Sequence, residues 1–385
     1  MGLKPEVLVF IDWYLPGYKA GGPIKSVANI VGSLNHEVSF NIVTSDTDFG
    51  EAAPYAQVRP NVWENKGVYR VIYLDAEHQK VGFIKQLLQE KRYDLIYFNS
   101  LFSFKFTLLP LYLLKFSSTA SHIVVAPRGM LGKGALQLKK RKKQIFLSVA
   151  KGLGLFKEVT WHASTEMEAA EIRSMFGKNA AVKVATNIAS LALGKISSTR
   201  VKTPENTAFF FLSRISQKKN LLNALILLSK ISVCNAFKFH IIGPVEDERY
   251  WQQCQEVIAA LPPHIQVVYE GAIPNPELPA LLQQYHFLFL PTFSENYGHV
   301  VVEAWANGCP VILSDQTPWQ SLETEGVGWD IALSDEQRFL EVLAHCIKMT
   351  DNEYAKMSQK TQIYMNQRVV TDDIIQQNRR LFLQQ

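Results

Sequence analysis

Four cysteines occur in 385 residues, and they stand far apart at Cys234, Cys254, Cys309 and Cys346. The sequence has no Cys-x-x-Cys pair and no histidine cluster at ligand spacing. Neither a disulfide framework nor a structural zinc site is therefore expected, and a reducing cytoplasm is the expected compartment. Charged residues are also scarce, at 19% against 47% hydrophobic. That balance excludes a disordered chain and leaves ample material for a core. Long unbroken apolar runs are missing as well. The most apolar stretch, residues 95–116, contains Asn99, Lys105 and Pro110, and so reads as a buried strand followed by a helix rather than a membrane span. The opening Met1-Gly-Leu-Lys-Pro-Glu leads straight into a strand, so no signal peptide is expected. The net charge of +5 is too small for a dedicated nucleic-acid binder. It suits phosphate-bearing ligands or an anionic membrane surface.

What is present is an alternation of strands and helices. Apolar runs at residues 7–14, 38–43, 68–74, 94–98 and 122–126 read as strands, with helical patterns such as Phe83-Ile84-x-x-Leu87-Leu88 between them. Residues 49–66 read as a long loop. This alternation predicts a parallel sheet covered on both faces. It resumes after residue 207, and the length suits two domains. The boundaries expected are a first domain at 1–189, a polar linker at 190–206, a second domain at 207–370 and a final helix at 371–385. No internal repeat is visible beyond the two similar halves.

One stretch carries most of the chemistry: Pro291-Thr-Phe-Ser-Glu295-Asn-Tyr-Gly298-His299-Val-Val-Val-Glu303-Ala-Trp-Ala-Asn-Gly308-Cys-Pro310-Val-Ile. It reads as the end of a strand, a polar loop, a helix starting near Gly298 and stopped by Gly308, and a second buried strand. The start of such a helix attracts anions. Glu295 in the loop and Glu303 in the helix can accept hydrogen bonds from a neutral polyol. A phosphate beside a polyol describes a nucleotide sugar.

This stretch resembles the glutamate-x7-glutamate signature of the retaining GT-B glycosyltransferases of the group-1 family (family four). Thr292 stands where the family has Ser, and Tyr297 where it has Phe. The resemblance implies an α/β chain of the GT-B fold, with two facing Rossmann-like domains and an active site in the cleft between them. Ser213-Arg214-Ile-Ser-Gln-Lys218-Lys219-Asn220 matches the family's Gly-Arg-x-x-x-x-Lys-Gly, with Ser213 and Asn220 in place of the glycines. A forked guanidinium and an ammonium together neutralise a diphosphate. The resemblance thus implies catalytic roles for Arg214, Lys219 and Glu295. It implies donor contacts at Gly21, Gly22, Gly243, Pro244, Ala272, Asn296, Tyr297, Gly298, His299, Val300 and Glu303. Residues 317–319 and 326–330 read as loops with no chemistry of their own.

In the first domain, Pro16-Gly17-Tyr-Lys-Ala-Gly21-Gly22-Pro23 forms a glycine-rich turn before a helix that Pro23 can open. Asn99 stands where many family members have a histidine; it can bond a sugar hydroxyl but cannot act as a base. Asn99, Arg128 and His162 are the candidate acceptor-side residues, against the plain alternatives of a surface arginine and a structural histidine. Asp46-x-Asp48 resembles a metal clamp but reads as a solvated turn. No metal and no cofactor is expected beyond the donor, a UDP-, GDP- or ADP-sugar. The basic run Lys139-Lys-Arg-Lys-Lys143 reads as a solvated helix face, or as a contact with anionic lipid headgroups or a lipid-linked acceptor.

The function these features imply is transfer of a sugar from a nucleotide-diphosphate sugar to a glycan hydroxyl, with retained anomeric configuration. The expected setting is bacterial lipopolysaccharide, O-antigen, capsule or exopolysaccharide synthesis, in the cytoplasm or peripherally at the inner face of its membrane. Two other readings compete: a sugar-nucleotide epimerase of the same fold, and a non-catalytic membrane-associated scaffold.

Overall fold

A computed structural model describes residues 4–117, 121–132, 140–189, 200–233 and 235–384. Cys234, Lys139 and residues 190–199 of the expected linker lie outside them. The chain divides into two compact units, Met1–Ile188 with Asp372–Gln385, and Ala189–Thr371.

The first unit is built on an eight-stranded sheet. Its strands are β1 (Glu6–Phe10), β2 (Ser39–Ser45), β3 (Trp63–Asn65), β4 (Tyr69–Leu74), β5 (Leu95–Phe98), β6 (His122–Val125), β7 (Val159–Ala163) and β8 (Val182–Val184), in the order β3-β4-β2-β1-β5-β6-β7-β8. All pairs are parallel except β3 on β4. The central strand is apolar from Val7 to Phe10 because it is covered on both sides there. Val7 and Val9 point into one core with the helix Gly22–Leu34, while Leu8 and Phe10 point into the other with the helix Val81–Gln89. The period of two along a strand produces this division.

The last helix, Asp372–Phe382, lies on the first unit. Ile374, Leu381 and Phe382 join the core that holds Val7 and Val9. Asn378 donates to the Thr186 carbonyl at 2.8 Å, and Arg379 Nε reaches Glu37 at 2.9 Å. Residues 49–66 are not wholly a loop. Trp63–Asn65 pairs antiparallel with β4, a strand too short to show a period in sequence.

The second unit holds β9 (Thr207–Leu212), β10 (Phe237–Ile242), β11 (Ile265–Gly271), β12 (Phe287–Leu290), β13 (Val311–Ser314) and β14 (Gly328–Ile331). They form one parallel sheet in the order β11-β10-β9-β12-β13-β14. This is the doubly wound Rossmann order. Its direction reverses between β9 and β12, where ligands of such sheets bind beyond the carboxyl ends of the strands. Residues 200–206 are held in this unit. Lys202 is fully buried and donates Nζ to the Ile347 and Met349 carbonyls at 2.8 and 2.7 Å, closing the end of the helix Glu336–Lys348. No helix among the described residues is long and apolar enough to cross a membrane.

Candidate active site

In the second unit, the loops after β9 and β12 meet at the reversal of strand order. After β9 the chain runs through Ser213, Arg214 and Ile215 into the single turn Gln217–Lys219, then through Asn220 into the helix Leu221–Ser229. Asn220 takes φ 62°. Only glycine and, less often, asparagine adopt that left-handed geometry cheaply, which is why Asn can stand where the resembled family has Gly. Its side chain also donates to the Pro291 carbonyl at 2.8 Å. Two further bonds join the loops: Phe293 N–H donates to the Lys218 carbonyl at 3.0 Å and Thr292 Oγ1 to the same oxygen at 3.1 Å.

These ties bring Lys219 and Glu295 into an ion pair, with side chains only 12% and 14% exposed. Burial alone would raise the Glu295 carboxyl. The charges of Lys219, Lys218 and Arg214 outweigh that and hold it below the usual carboxylate range. Glu295 is therefore ionised at neutral pH. Arg214 pairs with Glu246 at 3.2 Å, both half-buried. These loops thus bring together three cations, Arg214, Lys218 and Lys219, and two carboxylates, Glu246 and Glu295, an excess suited to an anion.

Gly298, at φ 79° and ψ 63°, precedes the helix His299–Ala306 and gives it no side-chain cap. A Cβ on Gly298 would meet Glu295 Cγ at 3.1 Å and Val301 Cγ2 at 3.2 Å. An uncapped helix start presents amide groups to an anion. Asn296 and Val300 flank the start, half-buried, and Glu303 lies one turn into the helix, also half-buried. Tyr297 is buried, its ring against those of His299 and Trp319, and its hydroxyl has no hydrogen-bond partner among the described residues. Trp319 donates Nε1 to the Tyr297 carbonyl, so the loop at 317–319 braces the site. Its role is invisible in sequence because Trp319 and Tyr297 are far apart along the chain.

Gly243, after β10, has φ 138°, and a Cβ there would fall 2.0 Å from the Ser213 carbonyl oxygen. Only glycine lets the two loops approach so closely. Pro244 accepts from Ile215 N–H at 2.9 Å, and Ala272 follows the end of β11, where the Gly271 carbonyl receives Gly243 N–H at 2.7 Å.

The first unit has a polar cluster at the equivalent place, beyond β1 and β5. Gly21 precedes the helix Gly22–Leu34, with Pro23 in its first turn. Asn99 donates to the Pro23 carbonyl at 3.1 Å and accepts from Arg128 Nε at 2.7 Å. Arg128 also donates to Asn187 Oδ1 at 2.5 Å, Ser164 Oγ at 3.3 Å and the Tyr97 hydroxyl at 2.6 Å. Four of its five N–H groups thus meet neutral oxygens, and among the described residues no carboxylate pairs with it.

His162 proves structural. It is fully buried, and its Nε2 lies 2.8 Å from the Ala185 carbonyl, so Nε2 carries the proton. Nδ1 then accepts from the Tyr97 hydroxyl at 2.7 Å. Burial and the nearby Arg128 charge push its pKa down to about 3. His162 orients Tyr97, which supports Arg128; it cannot reach an acceptor.

Asp46 and Asp48 do not form a solvated turn. Both are buried. Asp48 Oδ2 accepts the Tyr18 and Lys19 amides at 2.9 and 3.2 Å and so shapes the glycine-rich turn. Sequence reasoning missed Asp12, which interrupts the apolar run at residues 7–14. Its carboxylate accepts from Ser103 Oγ at 2.6 Å; burial raises its pKa, and bonds from Ser103 and Ser100 offset part of the rise. An acid two residues past the end of a central strand was the available signal. No group of three or more metal-ligating side chains converges among the described residues.

Residues 195–363 match the family model described as Glycosyl transferases group 1. An uncharacterized 41.2 kDa protein in the cps region of Klebsiella pneumoniae is 24% identical over 216 residues, 54% of this chain and 57% of that protein's length. The crystal structure of Anabaena HepE in complex with UDP-glucose is similar with a TM-score of 0.72 at 16% identity, over 99% of this chain and 100% of that one. Sucrose-phosphate synthase from Thermosynechococcus elongatus gives a TM-score of 0.71 at 16% identity, over 100% of both chains. Residues 195–363 are thus similar to the group 1 glycosyl transferases, in a chain that has the fold of the GT-B glycosyltransferases.

Proposed function

We propose that this protein transfers a sugar from a nucleotide-diphosphate sugar to a hydroxyl of a glycan acceptor, with retention and without a metal ion. The reading rests on one observation above the rest: the Lys219–Glu295 pair lies beside Arg214 where the strand order reverses. Such a site offers positive charge to a diphosphate and an ionised carboxylate to sugar hydroxyls.

Arg214, Lys219 and the amide groups at the start of His299–Ala306 stabilise charge as it develops on the outer phosphate. Losing one such donor typically costs roughly a hundredfold to a thousandfold in turnover. Glu295 holds the donor sugar and Glu303 the ribose diol. Asn296, Tyr297, Gly298, His299 and Val300 shape the phosphate seat, and Gly243, Pro244 and Ala272 border the nucleotide. On the first unit, Gly21 and Gly22 belong with the donor, and Asn99 and Arg128 with the acceptor. The glycosidic bond to the outer phosphate breaks and its electron pair leaves with that oxygen. The acceptor oxygen bonds the same face of the anomeric carbon, and its proton passes to the departing phosphate. A covalent nucleophile is not needed.

UDP-sugars are the first donors to try, because HepE was solved with UDP-glucose; GDP- and ADP-sugars follow. The cps-region relative supports a surface polysaccharide as the product. A lipid-linked acceptor places the protein peripherally at an anionic membrane.

Slow donor hydrolysis tests retention without a known acceptor, since water then takes the acceptor's place. Nuclear magnetic resonance of freshly released sugar should show the donor's own anomer, unchanged by a chelator and lost in Glu295→Gln. The opposite anomer, or a strict need for added metal, contradicts the mechanism.

A further inference from the structure

The turn Gln217–Lys219 serves two places in the second unit. The charges of Lys218 and Lys219 act on Glu295. Gln217, at the start of the same turn, lines a cleft of about 460 Å³. The helix Leu221–Ser229, the helix Glu248–Ala259 and the loop after β12 supply the rest of its lining. The volume lies in the range of small-molecule sites.

The floor of the cleft is apolar. Leu222 and Ile226 stand four residues apart on Leu221–Ser229, both half-buried. A solvated helix face carries polar groups at such positions. Tyr250 is buried beside them, and its hydroxyl accepts the Leu222 N–H at 2.9 Å. That bond satisfies an amide at the helix start, so the cleft is not built as an anion seat.

The rim is made of amides. Gln217 and Gln253 are exposed, and Asn223 is half-buried. Each amide side chain both donates and accepts, and so does each hydroxyl of a sugar. Phe293 adds a ring, 50% exposed. The face of such a ring carries partial negative charge and attracts the C–H face of a pyranose. No charged side chain among the described residues lines the cleft. A phosphate, a carboxylate or a metal ion therefore finds no partner of opposite charge in its wall. A neutral saccharide finds a flat apolar surface for its ring and amides for its hydroxyls.

The cleft shares both of its loops with the charged site. Phe293 stands two residues before Glu295, and its N–H donates to the Lys218 carbonyl at 3.0 Å. We propose that this cleft binds a neutral stretch of glycan outside the donor site. Gln217, Asn223 and Gln253 contact its hydroxyls, and Phe293 stacks on a sugar ring. The choice of a glycan as ligand rests on the transferase reading above, because the product of that reaction is the saccharide at hand.

The test is saturation-transfer nuclear magnetic resonance on the full chain with maltotriose, cellotriose and mannotriose, each with excess UDP present. Trigalacturonate is the acidic comparison. Saturation should pass to at least one neutral trisaccharide and not to trigalacturonate. Phe293→Ala and the double variant Asn223→Ala, Gln253→Ala should each weaken that binding about fivefold to tenfold. None of these side chains is buried, so the fold should tolerate the changes. Thermal stabilisation by UDP is measured on the same samples. If it is equal in wild type and variants, glycan binding is separate from donor binding. If it is absent from all, the donor reading fails while the saccharide result still decides this one. Equal saccharide binding by wild type and both variants overturns the proposal. So does transfer to none of the neutral trisaccharides, or a preference for trigalacturonate.

Discussion

Glu295 sits in a nearly closed site and keeps its charge only because Lys219 faces it. Removing one member of such a pair strands the other. Lys219→Ala should therefore destabilise the second unit by about 3–5 kcal/mol, whereas replacing both by apolar residues of similar volume should cost far less. Urea unfolding of the two single variants and the double variant measures this. Additive losses would show that the pair does not act as a unit. At Asn220 the backbone sets the requirement. Asn220→Gly and Asn220→Ala both lose the bond to Pro291, but only alanine meets the left-handed penalty, so alanine should be worse by about 1–2 kcal/mol. Equal stability of the two would contradict that account. The signature residues themselves were legible in sequence, since Glu295, Glu303, Arg214 and Lys219 fall in recognisable spacings. Their pairing was not, because Lys219 and Glu295 lie 76 residues apart and spacing says nothing of which cation faces which acid.

At the scale of elements, apolar runs revealed most strands because buried parallel strands read as unbroken hydrophobic segments, but residues 326–330, read as a loop, supply the edge strand β14 on β13, whose glycine and aspartate hide it in sequence. The short β3 and the partners of Asp48 stayed hidden. Three residues show no period, and a carboxylate bonding distant amides looks in sequence like one in water. His162 was a similar case. Its position at the carboxyl end of β7 suggested a ligand contact, and only its two internal hydrogen bonds identify it as support for Tyr97 and Arg128. This burial has a consequence for pH. His162 in the first unit has its pKa pushed down from 6.5 to about 3, and His286 in the second to about 4, each chiefly by burial. Below about pH 6.5 the unfolded chain binds protons that the folded chain refuses. Stability should fall as pH drops from 7 to 5, by up to about 1.4 kcal/mol per pH unit for each histidine. Urea midpoints at pH 7, 6 and 5 measure this; a constant midpoint would show that both rings accept protons while folded.

For the whole molecule, length and the repeated alternation of strand and helix announced two Rossmann-like units. The chain carries two parallel sheets, each with polar loops gathered beyond its central strands. The two gatherings differ in chemistry. In the second unit the charges pair as acid with base, within reach of a helix start. In the first, a single guanidinium is satisfied by neutral oxygens, and its last helix is borrowed from the far end of the chain. The central claim is that the second unit's charged loops bind the diphosphate of a nucleotide sugar. Arg214 is the residue to change, because its half-exposed partner Glu246 can be left alone without stranding a buried charge. Titration calorimetry of UDP, GDP and ADP against wild type and Arg214→Ala is the direct test. The account predicts that one nucleotide class binds with one site per chain. It also predicts that Arg214→Ala weakens binding roughly tenfold to a hundredfold, as loss of a charge-assisted hydrogen bond should. Binding of equal strength in the variant, or no binding of any of the three, would contradict it.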